Sequence, residues 1–116
     1  MIPKALMAAS TKPIIMTILK SGEDYGYNII QRVKEMSGGT LEWSDGMLYP
    51  VLQRLEKENL ISSQWIVSDE GRHRKYYKIT QAGREALVTE MAQWQSMIKA
   101  LNLIWKPPFE TEGPHV

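Results

Sequence analysis

Residues 44–80 decide the fold of this 116-residue chain, and they read SDGMLYPVLQRLEKENLISSQWIVSDEGRHRKYYKIT. A segment with helical periodicity comes first, followed by two β-prone segments that flank a polar, basic tip. This order is typical of a winged helix, which presents one helix and a neighbouring hairpin to duplex DNA. We therefore predict that this stretch contacts DNA and that the rest of the chain supports it.

The helical segment has one apolar side and one side suited to a duplex. It begins at Ser44, because a serine hydroxyl can accept a hydrogen bond from an unpaired backbone N–H at a helix start. At about 100° per residue, the core-facing residues are Leu48, Val51, Leu52 and Leu55. Glutamine suits base edges, and Arg and Lys suit phosphates. The predicted DNA-binding residues are Ser44, Gly46, Tyr49, Pro50, Gln53, Arg54 and Lys57. A merely solvated helix face is the alternative that these residues leave open.

The second half of the stretch predicts a hairpin over residues 62–79 with its break at residues 68–71. Four cations follow the break, at Arg72, Arg74, Lys75 and Lys78. In a chain of formal net charge +1 they form the densest cationic patch, which suits phosphates or a minor groove. We predict DNA contacts from Arg72, Arg74 and Lys75. A charged hairpin that prevents edge-to-edge pairing is the structural alternative.

Several motifs outside and inside this stretch carry a family resemblance. They are Tyr25-Gly26-Tyr27, Gly38-Gly39, the run from Leu41 to Pro50, Leu55-Glu56-Lys57, the run from Gly71 to Tyr77, and Thr80-Gln81-Ala82-Gly83. In this order they resemble the PadR family of bacterial transcriptional regulators, over residues 5–105. The resemblance implies a dimeric winged helix-turn-helix protein that binds palindromic operators, usually as a repressor. It also implies a response to small molecules such as phenolic compounds or drugs. Pro13 and the Pro-rich tail after Trp105 depart from the family's pattern.

The first two helices are predicted from their caps and periodicity. Thr11 is expected to cap the first helix with Pro13 in its first turn, after a preceding helical segment at Leu6 and Met7. Asp24 is expected to cap the second helix. The apolar stripe of that helix is Tyr25, Ile29, Val33 and Met36.

The connection after the second helix starts at residues 37–39, where two glycines predict a left-handed stop. Residues 40–43 are predicted to form a short extended piece that can pair with the wing. Trp43 and Trp65 are expected in the core or at the base of the wing, because tryptophan in a strand is usually buried.

The longest periodic segment runs from Thr80, a good N-cap, to about Trp105. Its apolar residues recur at intervals of four and three, as in a coiled-coil seam. The predicted dimer-interface residues are Leu87, Met91, Trp94, Ile98, Leu101 and Trp105. The first helix is the intramolecular alternative, but its expected shortness favours self-association. A two-fold homodimer would hold two recognition helices ~34 Å apart and require an inverted-repeat site.

Trp94, Met91 and Met97 lie on or near that seam. Packed interface core is the simpler interpretation of each residue. The sharper hypothesis is a gap between the subunits in which a small aromatic effector stacks on Trp94, because methionines and large aromatics suit adaptable pockets.

Length and composition indicate one soluble globular domain, and the periodic segments and the resemblance together predict a mainly α fold with a small β-hairpin. The expected units are a winged helix-turn-helix domain over residues 1–79, a dimerisation helix over residues 80–105 and a flexible Pro-rich tail over residues 106–116. The absence of cysteine excludes disulfides and thiolate chemistry and is compatible with the cytoplasm. The apolar run at residues 14–19 is too short to span a bilayer, so no membrane partner is expected.

An enzyme is the competing class, and the sequence offers little support for it. The only histidines are His73 in the basic wing and His115 in the tail. Glu56 and Glu58 are interpreted as solvated helix charges, and no cofactor or metal site is predicted. A winged helix that serves as a protein-protein adaptor is the remaining alternative. Its binding would be insensitive to salt, whereas DNA binding weakens steeply as salt rises.

Overall fold

The computed structural model describes residues 2–106 and consists of four helices and one small sheet. In chain order the elements are α1 (Lys4–Lys20), β1 (Asp24–Tyr25), α2 (Gly26–Met36), α3 (Asp45–Lys57), β2 (Ile61–Val67), β3 (His73–Ile79) and α4 (Gln81–Ile104). The predicted fold class, mainly α with a hairpin and a long C-terminal helix, is confirmed. Apart from Lys106, the predicted tail lies outside the described residues.

The first helix is longer than predicted. It starts after Pro3 and runs through Pro13 without a break, so Thr11 is an interior residue and not its cap. Thr11 is fully buried, and its hydroxyl donates to the Met7 carbonyl at 2.7 Å. Alanine and leucine before Pro13 favour helix strongly enough to outweigh the one backbone hydrogen bond that proline removes. The two expected segments are therefore one helix.

The second helix is tied to the sheet by Asp24 in a way that the capping prediction missed. Asp24 lies in β1, and the N-cap position of α2 is Tyr25, which makes no side-chain cap bond. The buried Asp24 carboxylate accepts hydrogen bonds from the Tyr25 backbone N–H at 2.9 Å and from the Asn28 amide at 2.8 Å. Arg32 adds an ion pair at 3.3 Å. The carboxylate thus holds α2 through side chains one and two turns along the helix.

Two glycines follow the end of α2, as predicted. Gly38 and Gly39 have φ angles of +64° and +85°, which favour glycine. Ser44 then caps α3, its hydroxyl accepting from the Met47 N–H at 3.2 Å. The predicted pairing of residues 40–43 with the wing was wrong, because the strand that pairs with the hairpin is β1. Helices α2 and α3 form the helix-turn-helix.

The sheet is antiparallel with strand order β1-β3-β2. In the hairpin, Ile61 pairs with Ile79, Trp65 with Lys75 and Val67 with His73. The buried residues Ile61, Tyr77 and Ile79 attach only the root of the hairpin to the core. The outer half therefore extends away from the domain as the wing.

The core lies between α1, the helix-turn-helix and the root of the sheet. Its largest contributions are Ile15, Met16, Ile18 and Leu19 from α1, and Leu48, Val51, Leu52 and Leu55 from α3. These α3 residues form the predicted stripe, which is confirmed. Trp43 is buried in the core as expected.

The start of α4 is locked to the hairpin. Thr80 caps α4 by accepting from the Gly83 N–H at 3.0 Å, and its own hydroxyl lies within donating distance of the Asn59 carbonyl at 2.8 Å and the Leu60 carbonyl at 3.0 Å. Gly83 lies so close to the backbone just before β2 that an added Cβ would be 2.0 Å from the Leu60 carbonyl oxygen. The root of α4 is therefore part of the domain, and Leu87, only 2% exposed, is buried in its core.

Candidate nucleic-acid interface

The exposed face of α3 is as the sequence predicts. Because the apolar side of the helix is buried, the opposite side projects from the domain. The residues proposed for DNA contact on this helix are all solvent-exposed: Ser44, Gly46, Tyr49, Pro50, Gln53, Arg54 and Lys57. The helix continues through Pro50, and Gly46, four residues earlier, has no side chain to add to the crowding.

A cleft of about 850 Å³ separates α3 from the hairpin, and we call it the wing cleft. Its aromatic lining is Tyr25, Tyr27, Tyr49, Trp65 and Tyr77. Its basic lining is Arg72, His73, Arg74 and Lys75, and Gln53 reaches it from α3. The predicted cations of the wing and the predicted base-reading glutamine therefore border one cavity. Basic and aromatic groups at this density suit a sugar-phosphate strand.

The predicted cationic patch is divided by the pleat of β3. Successive side chains of a strand point to opposite faces, so Arg74 and Lys78 share one face and Lys75 the other. Lys78 lies apart from the wing cleft, in a smaller depression with Ser62 and Gln64. Arg72 belongs to the loop between the strands. The three wing cations predicted to contact DNA line the same cleft, whereas Lys78 is separated from them.

Arg74 is positioned by aromatic rings. Its guanidinium carbon lies 4.5 Å from the centre of the Tyr25 ring. That ring in turn meets Tyr76 edge to face, with centroids 5.3 Å apart. A stacked guanidinium keeps its donors free for an anion while losing side-chain freedom to the ring.

Tyr49 connects α3 to the start of α2. An added Cβ at Gly26 would lie 2.2 Å from the Tyr49 hydroxyl oxygen, so the phenol occupies the space that a side chain there would fill. Partial burial raises the pKa of Tyr49 above its ordinary value, and the Asp45 carboxylate raises it further. A tyrosine is protonated at neutral pH even without these effects, and both effects favour that form further, so the hydroxyl can donate to a phosphate.

The prediction that Trp65 lies in the core or at the base of the wing is wrong. The indole is 67% exposed and lines the wing cleft instead of the core. Trp65 pairs with Lys75 on the outer half of the hairpin, beyond the last residues that reach the core. The signal available in the sequence was the polar neighbourhood of Trp65, since Gln64 and Ser63 precede it in the strand.

Glu56 was also misinterpreted, because it is not a solvated helix charge. Its carboxylate accepts a hydrogen bond from the Ser63 hydroxyl on β2 and lies 3.6 Å from the Lys75 ammonium on β3. The ammonium also lies 5.6 Å from the centre of the Tyr77 ring. Lys75 is therefore engaged within the chain, in contrast to its predicted role as a simple phosphate contact.

The residues predicted for the dimer and the effector lie in several different environments. Leu87 belongs to the monomer core and leaves no surface for a partner, which corrects its assignment to the seam. Exposure rises beyond it, to 52% at Ile98 and 69% at Trp105. Trp94 and Met91 line a cavity of about 250 Å³ against Ile14 and Pro13 of α1. Met97 lies outside it, in a separate depression of about 200 Å³ that Trp94 also borders.

The fold and the site together define a class. A helix-turn-helix whose second helix exposes a polar face, next to a hairpin with a basic cleft, is a winged helix-turn-helix of the DNA-binding type. Residues 15–89 match the Transcriptional regulator PadR-like family, and the chain belongs to that family. The family consists of transcription regulators, so the prediction that this chain is not an enzyme is confirmed.

Relatives and solved structures agree with this assignment. A protein of Lysinibacillus sphaericus is 30% identical over 90 residues, covering 78% of this chain and 83% of its own length. A PadR-like transcription factor from Bacteroides fragilis has 34% identity and a TM-score of 0.71, over 86% of this chain and 94% of that chain. A transcriptional regulator from Clostridium thermocellum has 25% identity and a TM-score of 0.83, over 91% of this chain and 100% of that chain.

No helix within residues 2–106 is both long enough and apolar enough to cross a bilayer.

Proposed function

We propose that this regulator is a homodimeric repressor that binds an inverted-repeat operator. In this proposal α3 enters the major groove and the wing meets the flanking backbone or minor groove. The observation that carries it is the single surface formed by the exposed face of α3 and the wing cleft, joined at Gln53. The setting is the cytoplasm, where a bacterial regulator meets the genome.

The contacts divide into base reading and positioning. Gln53 is the group suited to a bidentate contact with adenine, and Arg54 and Lys57 flank it with charge for phosphates. The wing cleft binds the adjoining sugar-phosphate backbone of the DNA, and Arg72 and Arg74 contact its phosphates. The neutral Tyr49 phenol donates a hydrogen bond to the same strand.

Self-association through α4 supplies the two-fold symmetry that an inverted repeat requires. Beyond Leu87, the seam residues Met91, Trp94, Ile98, Leu101 and Trp105 continue along a helix whose distal half is largely exposed. An exposed apolar stripe of this length favours a partner helix over solvent. Residues 80–105 thus serve as the dimerisation helix of the proposal, and residues 1–79 as its DNA-binding domain.

The cavity at Trp94 supports a small aromatic effector as the releasing signal. Its apolar walls come from α1 and α4, so a ligand there would contact both the dimerisation helix and the DNA-binding domain. Trp94→Ala should remove a stacking surface and weaken both effector binding and induction. If neither changed, measured by calorimetry and by release from operator DNA, the effector proposal would be wrong.

The deciding experiment is capture of genomic fragments by the purified protein at moderate salt, beside an Arg72→Ala/Arg74→Ala control. Enrichment of inverted repeats that the control loses would support the repressor, and the neighbouring genes would indicate the effector. Failure to enrich any fragment at any salt would contradict it.

A protein-binding adaptor is the second candidate, and one observation favours it. Trp65 exposes an indole in the wing cleft, and exposed tryptophan is common in protein interfaces. The salt dependence of binding distinguishes the two functions. Partner capture that persists at high salt would favour the adaptor, whereas a steep loss of DNA affinity between low and moderate salt would favour the repressor.

A further inference from the structure

Glu56 is the point at which α3 holds both long strands of the wing. One carboxylate oxygen, Oε2, accepts from the Ser63 hydroxyl of β2. The other, Oε1, lies 3.6 Å from the Lys75 ammonium of β3. Since each oxygen takes a different strand, a single side chain fixes the helix against the hairpin. We call these three residues the Glu56 clamp.

The register of the hairpin explains how one side chain reaches both strands. Ser63 pairs with Tyr77 and Trp65 pairs with Lys75, so Ser63 and Lys75 are diagonal neighbours on one face. That face is the one whose root packs in the core through Ile61 and Ile79. The neighbouring Leu55 is fully buried, which fixes the depth of α3 at the clamp.

The position of the clamp makes it relevant to DNA contact. Lys75 lines the wing cleft together with Arg72 and Arg74. The Glu56 carboxylate offsets part of the Lys75 charge beside the surface proposed for the backbone. Ion pairs that are about one-third exposed contribute little to stability, so the main consequence concerns geometry and charge at the interface.

We propose that Glu56 is a positioning residue for specificity, an inference that rests on the proposed DNA contacts of α3 and the wing. The clamp fixes the distance between the helix that reads bases and the hairpin that meets the backbone. It also withholds Lys75 from phosphates, which lowers affinity for random DNA. The regulator therefore gives up nonspecific attraction and gains discrimination.

Glu56→Gln tests this proposal because it keeps the side-chain size and removes the charge. Affinity for random duplex DNA should rise about threefold at low salt, since Lys75 becomes available to a phosphate. The logarithmic salt slope should steepen by about one unit, as expected for one added phosphate contact. The ratio of operator to random affinity should fall. Glu58→Gln, at an exposed position that follows the same helix, is the control for loss of a carboxylate alone.

A double-mutant cycle with Lys75→Gln separates the clamp from general electrostatics. The steeper slope should disappear in Glu56→Gln/Lys75→Gln if freed Lys75 is its cause. Amide hydrogen exchange of free protein should be faster in β2 and β3 of Glu56→Gln and unchanged in α1. A slope unchanged by Glu56→Gln, one equally steep with and without Lys75, or unaltered exchange in both strands would overturn the proposal.

The wild-type protein distinguishes failure of this inference from failure of the proposed function. If it bound captured and random fragments equally, the repressor proposal would fail. The random-DNA slopes and hydrogen exchange would still decide whether Glu56 restrains Lys75 and the wing.

Discussion

Helices α3 and α4 both start with a hydroxyl cap and both carry an apolar stripe, but their stripes end in different surroundings. The α3 stripe is buried completely within its own chain, from Leu48 to Leu55. The α4 stripe is buried only at its root, where Leu87 joins the core, and Ile98 and Trp105 are exposed. The α3 stripe is therefore fully covered by the rest of the chain, whereas the distal half of α4 leaves apolar side chains that no other part of residues 2–106 covers.

The largest expected effect is a loss of stability from a substitution at the root of α4, where this helix is attached to the hairpin. Gly83→Ala would place a Cβ 2.0 Å from the Leu60 carbonyl oxygen and 2.7 Å from Ile79 Cγ1. Backbone cannot yield as a flexible side chain does, so we expect destabilisation of about 3 kcal/mol, measured by urea unfolding. Gln81→Ala, at an exposed position in the same turn, should leave stability nearly unchanged. Equal stability of both variants would show that α4 is not locked to the hairpin.

The second expected effect is weaker dimerisation through the distal half of α4. Ile98→Asp places a charge in the proposed seam of both subunits, and buried unpaired charge is costly. We expect the dimer dissociation constant to rise about a hundredfold, or roughly 2.7 kcal/mol, measured by analytical ultracentrifugation. Thermal unfolding of the monomer should change little, because Ile98 is already half exposed.

Ala100→Asp is the matched control for that substitution, because it introduces the same charge two residues away and off the heptad seam. It should leave association nearly intact. Equal weakening by both substitutions would mean that the seam is not the interface.

Local signals made α3 predictable in detail. Its cap, its stripe and its exposed face follow from residue type and a period of 3.6, and none depends on distant residues. The same reasoning found the left-handed stop at Gly38 and Gly39. The heptad pattern of α4 was equally clear, but periodicity cannot state which partner covers which residue, so Leu87 was assigned to the wrong contact.

The errors elsewhere arise from contacts between residues distant in sequence. Glu56 meets Lys75, 19 residues later in the chain, and no pattern near either residue indicates this pair. Strand alternation for Trp65 predicts a face but not the point at which the hairpin leaves the core. Asp24 satisfied a capping pattern, but it pairs with Tyr77 of β3 and so lies in β1, and Tyr25 takes the N-cap position of α2.

The third prediction tests whether Gln53 on the exposed face of α3 reads bases, in contrast to residues that contact the DNA backbone. Gln53→Ala should cost about 1–2 kcal/mol on operator DNA, because a bidentate base contact is lost, and much less on random DNA. The preference should relax mainly at one base pair, measured by binding to a set of operators with single substitutions. Equal losses on operator and random DNA would contradict the assignment of Gln53 to base reading.

The smallest expected effect concerns Arg74, which lines the wing cleft and is proposed to contact phosphates. Arg74→Ala removes one phosphate contact, so affinity should fall by about 1 kcal/mol on every sequence and the logarithmic salt slope should flatten by about one unit. Titration of operator and random duplexes across several salt concentrations measures both quantities. Lys78→Ala makes the same charge change on the same strand, but Lys78 lies apart from the wing cleft, so its slope should stay near that of the wild type. If the two variants flattened the slope equally, total wing charge would account for the binding and the stacking of Arg74 on Tyr25 would have no part in it.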